Sequence, residues 1–165
     1  MELNYNNTPF ESSPNSIFAA QLTMDFPGIG RHHGLRLYGG YQKRIEDFYP
    51  FADFIIYPRG YTDIKRDEIY SFSAMYTMRL FYPEWQVGHL LYFKRFKTTL
   101  FYDFARSTDN MLPQFISSVG LDLTSDFSFL NFIAPLDAGL RSIYIPDTGE
   151  MKFELLFSLN FGGMY

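Results

Sequence analysis

Hydrophobic and polar residues alternate along most of this chain with a period of two, and the period typical of a helix is nearly absent. The clearest alternation lies in residues 151–161. Because successive residues of a β-strand point to opposite faces, this segment is predicted to be a strand with one hydrophobic face and one largely polar face. The hydrophobic face consists of Met151, Phe153, Leu155, Phe157, Leu159 and Phe161.

Six further segments show the same alternation, so the sequence predicts an all-β protein with about seven strands. Most are close to the ~9–11 residues with which a tilted strand crosses a bilayer, and longer than the ~5–6 residues usual in soluble sheets. The six segments are residues 17–26, 35–43, 69–80, 96–105, 117–124 and 132–144. Residues typical of turns are found at 27–30, 83–84, 109–110, 125–126 and 146–149.

Two stretches fall outside this pattern. Residues 1–15 are polar and rich in turn-forming residues, and they lack the basic start, apolar core and cleavage site of a secretion signal. We therefore expect residues 1–15 to be an interior loop of a longer chain, and residues 16–165 to form the β-domain. Residues 45–67 form a long connection, the lid loop, whose many aromatic residues predict that it folds onto another part of the protein.

The composition excludes several classes of protein. Phe, Tyr and Trp make up 20% of the 165 residues, and 47% are hydrophobic, which excludes a disordered chain. The net charge is −4, so we expect no nucleic-acid partner. The chain contains no cysteine, which excludes disulfides and thiol catalysis. No hydrophobic run approaches the ~20 residues of a membrane-spanning helix, but a transmembrane barrel carries its hydrophobic surface in alternation instead.

Three features favour a barrel in a membrane over a soluble one: long strands, charges of both signs on the predicted polar faces, and aromatic residues near strand ends. A soluble β-sandwich or lipid-binding β-barrel, whose hydrophobic face points inward, is the alternative. The charges are Arg36, Arg79, Arg95, Lys97, Asp103, Asp122, Arg141 and Glu154. The aromatic residues are Phe48, Tyr49, Phe51, Tyr82, Trp85, Tyr92, Phe115, Tyr144 and Tyr165.

Catalytic and metal-binding chemistry has little support in the sequence. His32, His33 and His89 lie near turns, without a third ligand at a recognisable spacing. Serine and aspartate residues cluster at 117–126, but no histidine accompanies them as a general base. We therefore expect a protein that is not an enzyme and that holds no metal and no cofactor.

Four short motifs resemble those of one family. Residues 58–61 (Pro-Arg-Gly-Tyr) are similar to an Arg-Gly-aromatic motif in a long loop, and residues 72–83 to a strand that ends near a proline. Residues 100–105 are similar to an aromatic-x-Asp-x-small strand, and residues 152–161 to an aromatic-rich terminal strand. In this order, the motifs resemble the C-terminal half of the barrel in the outer-membrane assembly superfamily, which includes BamA, TamA and related bacterial surface antigens.

The resemblance implies an antiparallel, up-and-down transmembrane β-barrel, of which this chain would be an incomplete C-terminal part. It implies a role in inserting or translocating proteins in the outer membrane of a Gram-negative-type cell. The partners implied are outer-membrane lipids, unfolded outer-membrane protein clients and periplasmic assembly factors. An incoming strand would pair with the edge of the closing strand, which carries Phe153, Leu155, Phe157, Leu159 and Phe161.

The resemblance also implies roles for residues of the lid loop. Arg59 would enter the lumen and meet Asp103 on the inner wall, where a guanidinium and a carboxylate can form two parallel hydrogen bonds. Gly60 would permit a tight backbone, and Tyr61 would pack against the wall.

Two positions depart from the family pattern. Members often have Glu where this chain has Met75, and Arg where it has Thr77. An outer-membrane channel or binding barrel without insertase activity is therefore a further alternative.

Overall fold

The computed structural model describes residues 2–7, 16–45, 53–61, 67–83, 85–88, 91–109, 112–129 and 136–159. These residues form nine strands and contain no helix that could cross a membrane. The strands are β1 (Glu2–Asn7), β2 (Ser16–Pro27), β3 (His33–Ile45), β4 (Glu68–Phe81), β5 (Trp85–Val87), β6 (Leu91–Asp109), β7 (Leu112–Phe129), β8 (Leu136–Ile145) and β9 (Glu150–Leu159).

All pairs of neighbouring strands are antiparallel, and the long strands follow one another in chain order, β1-β2-β3-β4-β6-β7-β8-β9. The short β5 pairs with β6 beside this path. The predicted all-β, up-and-down fold is therefore confirmed. Within the described residues β1 and β9 do not pair with each other, so the sheet is not closed into a barrel.

The predicted number of strands was too low, because β1 and β5 were missed. Glu2–Asn7 lies in the segment that we expected to be a loop, but it pairs with residues 16–21 of β2. Pairing uses main-chain hydrogen bonds and does not require hydrophobic alternation, so the polar sequence gave no signal for it. β5 has only three residues, which is too short for a period to be recognised.

The turn predicted at residues 125–126 was wrong, because β7 continues through both residues to Phe129. Ser125 and Asp126 are typical of turns when they are exposed, but Asp126 is buried on the inner face of the sheet. The strand predicted from residue 132 begins at Leu136, and residues 132–135 lie outside the described part of the chain.

The two faces of the sheet differ in polarity. The outer face carries large hydrophobic side chains that are exposed, among them Leu22, Phe72, Leu100, Tyr102, Leu121, Leu123, Leu140 and Leu155. The inner face carries small and polar side chains that are buried, among them Ala19, Gln42, Ser71, Ser73, Asp103, Ser107, Ser118 and Asp122. This distribution is opposite to that of a soluble sheet, in which the hydrophobic face is the buried one.

The buried hydrophobic residues lie between the inner face and residues 53–61, which we call the lid segment. In one cluster, Ile55 of the lid segment packs among residues of β2, β4, β6 and β7. A second cluster joins β6 to β8 and also contacts the lid segment through Tyr61. The first contains Ala19, Ile55, Ile69, Ala105 and Ile116, and the second Phe101, Ile143 and Ile145.

Candidate functional site

The lid segment is held on the inner face by hydrogen bonds from its main chain. The amide of Phe54 donates to the side chain of Gln42 at 2.9 Å, and the amide of Ile56 donates to the Tyr38 hydroxyl at 3.0 Å. The carbonyl of Ile56 accepts a hydrogen bond from the Ser71 hydroxyl at 2.5 Å. Buried main-chain groups require partners, and polar side chains on β3 and β4 supply them.

Gly60 occupies a position that favours glycine for two reasons. Its φ of 85° lies in the left-handed region, which costs other residues free energy. A Cβ atom at this position would also approach Cγ2 of Ile143 to 3.1 Å. The carbonyl of Gly60 accepts a hydrogen bond of 2.7 Å from Nζ of Lys152 on β9, so this turn of the lid segment is tied to the last strand.

The structure brings Arg59 and Asp103 together, with Nη1 of Arg59 3.7 Å from Oδ2 of the carboxylate. The two parallel hydrogen bonds that such a pair can form are not present. Instead, the main-chain amide of Arg59 donates to Oδ2 at 3.1 Å, and the Ser73 hydroxyl donates to Oδ1 at 2.5 Å. Asp103 is only 2% exposed, so its contacts with the main chain and the guanidinium of Arg59 lie in a site with little water.

The guanidinium of Arg59 has two further neighbours. Its Cζ lies 4.1 Å from the centre of the Phe101 ring, which is a cation–π contact. Nη2 lies 2.9 Å from the sulfur of Met75. Burial lowers the pKa of Arg59, and the nearby Asp103 carboxylate opposes this effect. The guanidinium thus has one carboxylate within ion-pair distance and one weak sulfur acceptor, while the Asp122 and Glu154 carboxylates act on it from further away.

Tyr61 connects the lid segment to β7 and to the turn between β8 and β9. Its hydroxyl lies 3.0 Å from the carbonyl of Ser117 on β7 and 3.2 Å from Oδ2 of Asp147 in the β8–β9 turn. The ring packs against both hydrophobic clusters. Burial and the neighbouring Asp147 carboxylate raise the pKa of Tyr61 above its ordinary value. The hydroxyl therefore stays protonated and can donate a hydrogen bond at neutral pH.

Charged residues continue along the inner face beyond the lid segment, and most are paired across strands. Arg141 on β8 meets Asp122 with two hydrogen bonds of 2.8 and 2.9 Å and lies 3.5 Å from Glu154. Asp126 forms ion pairs with Arg95 and Lys97. Asp122 and Asp126, which we considered as possible hydrolytic groups, are therefore occupied by cationic partners.

The closing strand carries its hydrophobic residues on the outer face. Phe153, Leu155 and Phe157 are 72%, 85% and 66% exposed, respectively. Leu159 is the last residue of β9, and Phe161 lies outside the described residues. The opposite face of β9 places Lys152 and Glu154 toward the lid segment and the charged inner residues.

Aromatic residues are exposed at both ends of the sheet. Tyr82, Trp85 and Tyr92 surround the connection from β4 to β6, whereas Phe115 and Tyr144 lie near the end that carries the lid loop. The other predicted interfacial residues, Phe48, Tyr49, Phe51 and Tyr165, lie outside the described part of the chain.

Histidine and carboxylate residues do not form a metal site in the part of the chain that the structure describes. Nδ1 of His33 is 2.7 Å from the Tyr76 hydroxyl, and the ring packs edge-on against the tyrosine. His89 is not among the described residues.

Several residues of the site were not expected from the sequence. Ser73 and Phe101 contact Asp103 and Arg59, respectively, and Lys152 contacts Gly60. Ser73 stands directly opposite Asp103 in the register of β4 and β6, so strand pairing would have revealed it. Lys152 is 92 residues from Gly60 in the chain, and no local pattern relates them.

Comparison with protein-family models, curated proteins and solved structures found no match to this chain. The resemblance to the outer-membrane assembly superfamily therefore rests on the motifs alone, and the function that it implies is a proposal.

Proposed function

We propose that this chain forms part of the wall of an outer-membrane β-barrel that inserts or translocates proteins, with its lid loop held in the lumen. One observation carries the membrane part of the proposal. The outer face of the sheet exposes large hydrophobic side chains, whereas the inner face buries charged and polar groups under the lid segment. This distribution of side chains is that of a membrane barrel, whose outer surface contacts lipid and whose interior contains water.

The extent of the exposed hydrophobic surface supports contact with lipid rather than with water. Soluble monomers rarely expose contiguous hydrophobic patches larger than a few hundred Å². Here such residues follow one another on the outer face from β2 to β9. A soluble lipid-binding barrel would need these side chains inside, where the lid segment and the paired charges already lie.

Strand lengths and the order of side chains also fit a bilayer. β2, β8 and β9 contain 12, 10 and 10 residues, close to the ~9–11 needed to cross when tilted. Exposed tyrosine and tryptophan residues lie near both ends of the sheet, with Tyr82, Trp85 and Tyr92 at one end and Tyr144 toward the other. Tyrosine and tryptophan favour the boundary between lipid and water, so this order supports outer-membrane lipids as the surroundings of the wall.

Insertase activity is the more specific part of the proposal, and the resemblance of the motifs supports it. β9 pairs with β8 on one side only among the described residues, so its other edge has free main-chain groups. A strand of an unfolded outer-membrane protein could add to such an edge by main-chain hydrogen bonds. Periplasmic assembly factors would deliver these clients.

Membrane fractionation tests the first part of the proposal. The chain should remain with the outer membrane after washing with urea and should be released only by detergent, because its outer face has no favourable contact with water. Recovery in the soluble fraction as a monodisperse monomer would contradict the membrane assignment.

Depletion in a cell that carries the gene tests the second part. If the protein is an insertase, folded forms of other outer-membrane barrels should decline while their unfolded precursors accumulate. Normal levels of folded barrels would exclude this activity and leave the membrane assignment intact.

A channel or binding barrel without insertase activity is the second candidate, and Met75 favours it. The guanidinium of Arg59 meets a thioether there instead of a second carboxylate, so the lid contact of the insertase family is altered. Met75→Glu would place a carboxylate beside Arg59. Under this alternative the variant changes lid stability but does not create insertion of client barrels.

A further inference from the structure

A second polar site lies on the inner face, at the end of the sheet opposite the lid loop. It is a cavity of about 430 Å³ between the β2–β3 turn and the adjoining ends of β3, β4 and β6. This volume is within the range of about 300–1,000 Å³ that is common for ligand sites. Six of the lining residues are basic: Arg31, His32, His33, Arg79, Arg95 and Lys97.

The cations of this cavity are not fully neutralised by carboxylates. Asp126 pairs with Arg95 and Lys97, and Asp137 lies 3.7 Å from Lys97. Arg31 and Arg79 make no ion pair with any residue that the structure describes. The four Arg and Lys side chains and the two carboxylates leave a local charge of about +2, although the whole chain is negative.

The two unpaired guanidinium groups lie on different elements that meet at the cavity. Arg31 is exposed in the β2–β3 turn. Arg79 is exposed near the end of β4, and its Nη1 donates to the Tyr82 hydroxyl at 3.0 Å. The Thr77 hydroxyl is 3.0 Å from that of Thr99, so neutral hydrogen-bonding groups also border the cavity.

We propose that this cavity binds a phosphate group. Guanidinium groups match phosphate oxygens with paired hydrogen bonds, and a dianion compensates an excess of two positive charges. Arg95 and Lys97 are held in place by Asp126, so two cations are preorganised and two are available to close on the ligand. The phosphate could belong to a lipid headgroup or to a free phosphate ion, because both present the same oxygens.

The site does not depend on the proposed membrane function, since it rests on the polar face alone. It is tested with the full chain refolded in octyl glucoside, a detergent without phosphate. Inorganic phosphate and the short-chain lipid dihexanoylphosphatidate are titrated separately by calorimetry, with ionic strength held constant by sodium chloride. Saturable binding of both probes indicates a site for the phosphate group itself. Binding of the lipid alone identifies the headgroup as the source.

Variants locate the binding in the cavity. Arg31→Gln and Arg79→Gln should each weaken binding about tenfold, because each removes charge-assisted hydrogen bonds. Arg36→Gln is the matched control, since Arg36 lies on the same face but pairs with Asp25 at 2.7 Å and does not line the cavity. Arg31 lies in a turn, so its variant should fold normally, which circular dichroism verifies. Absence of saturable binding with both probes would overturn the proposal, as would an equal loss in Arg36→Gln.

Discussion

The position of the lid segment depends most directly on the carboxylate of Asp103. It accepts hydrogen bonds from the Arg59 main chain and the Ser73 hydroxyl, and it lies beside the Arg59 guanidinium. Because these groups are buried together, removal of the charge leaves a cation without its only described carboxylate partner. Oδ2 of Asp103 therefore accepts a hydrogen bond from the main chain of the lid segment and also lies near its cationic side chain.

Asp103→Asn should therefore destabilise the folded chain by about 3 kcal/mol. Arg59→Ala should cost less, because the alanine main chain still donates to the carboxylate. Urea unfolding in detergent micelles, followed by the fluorescence of Trp85, measures both values and that of the double variant. Additivity in the double variant would show that the two side chains do not interact. Asp25→Asn is the control, since its ion pair with Arg36 is exposed and such pairs contribute about 0–1 kcal/mol.

Gly60 is constrained both by its positive φ and by the lack of space for a Cβ atom. Comparison with Gly149 separates the two effects. Both have positive φ, 85° and 71°, but a Cβ atom at Gly149 would meet no atom within 4 Å. Gly149→Ala should cost about 1–2 kcal/mol from backbone conformation alone. Gly60→Ala should cost more, because the added methyl also presses against Ile143. Equal losses of unfolding free energy would mean that Ile143 moves aside without cost.

The raised pKa of Tyr57 predicts how the stability of the lid segment changes at alkaline pH. Burial is the main cause that raises the pKa of Tyr57 above 10.0, and the Asp53 carboxylate contributes further. Since the folded pKa lies above the unfolded one, the contribution of this residue to stability is complete below about pH 10 and is lost as the pH rises through the folded pKa. Ultraviolet titration of phenolate should show one late-ionising tyrosine fewer in Tyr57→Phe. An unchanged titration curve would contradict the assignment.

Among the elements, β9 is the strand whose two faces differ most clearly in their surroundings. The side chains of Met151, Phe153, Leu155 and Phe157 are exposed on the outer face, whereas Lys152 and Glu154 reach the lid segment and Arg141. Substitutions on the two faces of this strand therefore test which side of the sheet contacts lipid.

Leu155→Arg should reduce assembly into membranes much more than Ser158→Arg. An arginine that faces lipid costs about 2–4 kcal/mol at the middle of the bilayer, whereas one on the inner face can remain hydrated. The fraction of each variant that resists urea extraction from membranes measures the difference. Equal tolerance of the two arginines would reverse or remove the assignment of the lipid side.

For the whole molecule, the open sheet has a consequence for its behaviour in solution. The outer face and the free edge of β9 both lack a partner among the described residues, and unpaired edges are not tolerated in hydrocarbon. We expect the isolated chain to associate in a concentration-dependent manner without detergent and to become dispersed when detergent covers the outer face. Sedimentation velocity at several protein concentrations checks this expectation. A single monomeric species under detergent-free conditions would contradict it.

Periodicity alone was sufficient to predict an all-β protein, because strand residues alternate between faces whatever the strands pair with, whereas the up-and-down order of the strands came from the resemblance. It placed Phe153, Leu155 and Phe157 on one face, and the structure has them on one face. It failed at Glu2–Asn7 and at Asp126, where main-chain pairing and a buried ion pair override the local pattern. The resemblance of the motifs led to Arg59 and Asp103, but not to Ser73, Phe101 or Lys152.

The sequence by itself determined the element type, the approximate strand positions and the separation of hydrophobic from polar faces, since these follow from interactions between near neighbours. Only the tertiary structure decided which face is exposed, where the lid segment lies and how the charges pair. Arg59 and Asp103 are 44 residues apart, and Arg31 and Lys97 are further apart still. Strand register brings such residues together, and register depends on main-chain hydrogen bonds that all residues other than proline can donate and accept.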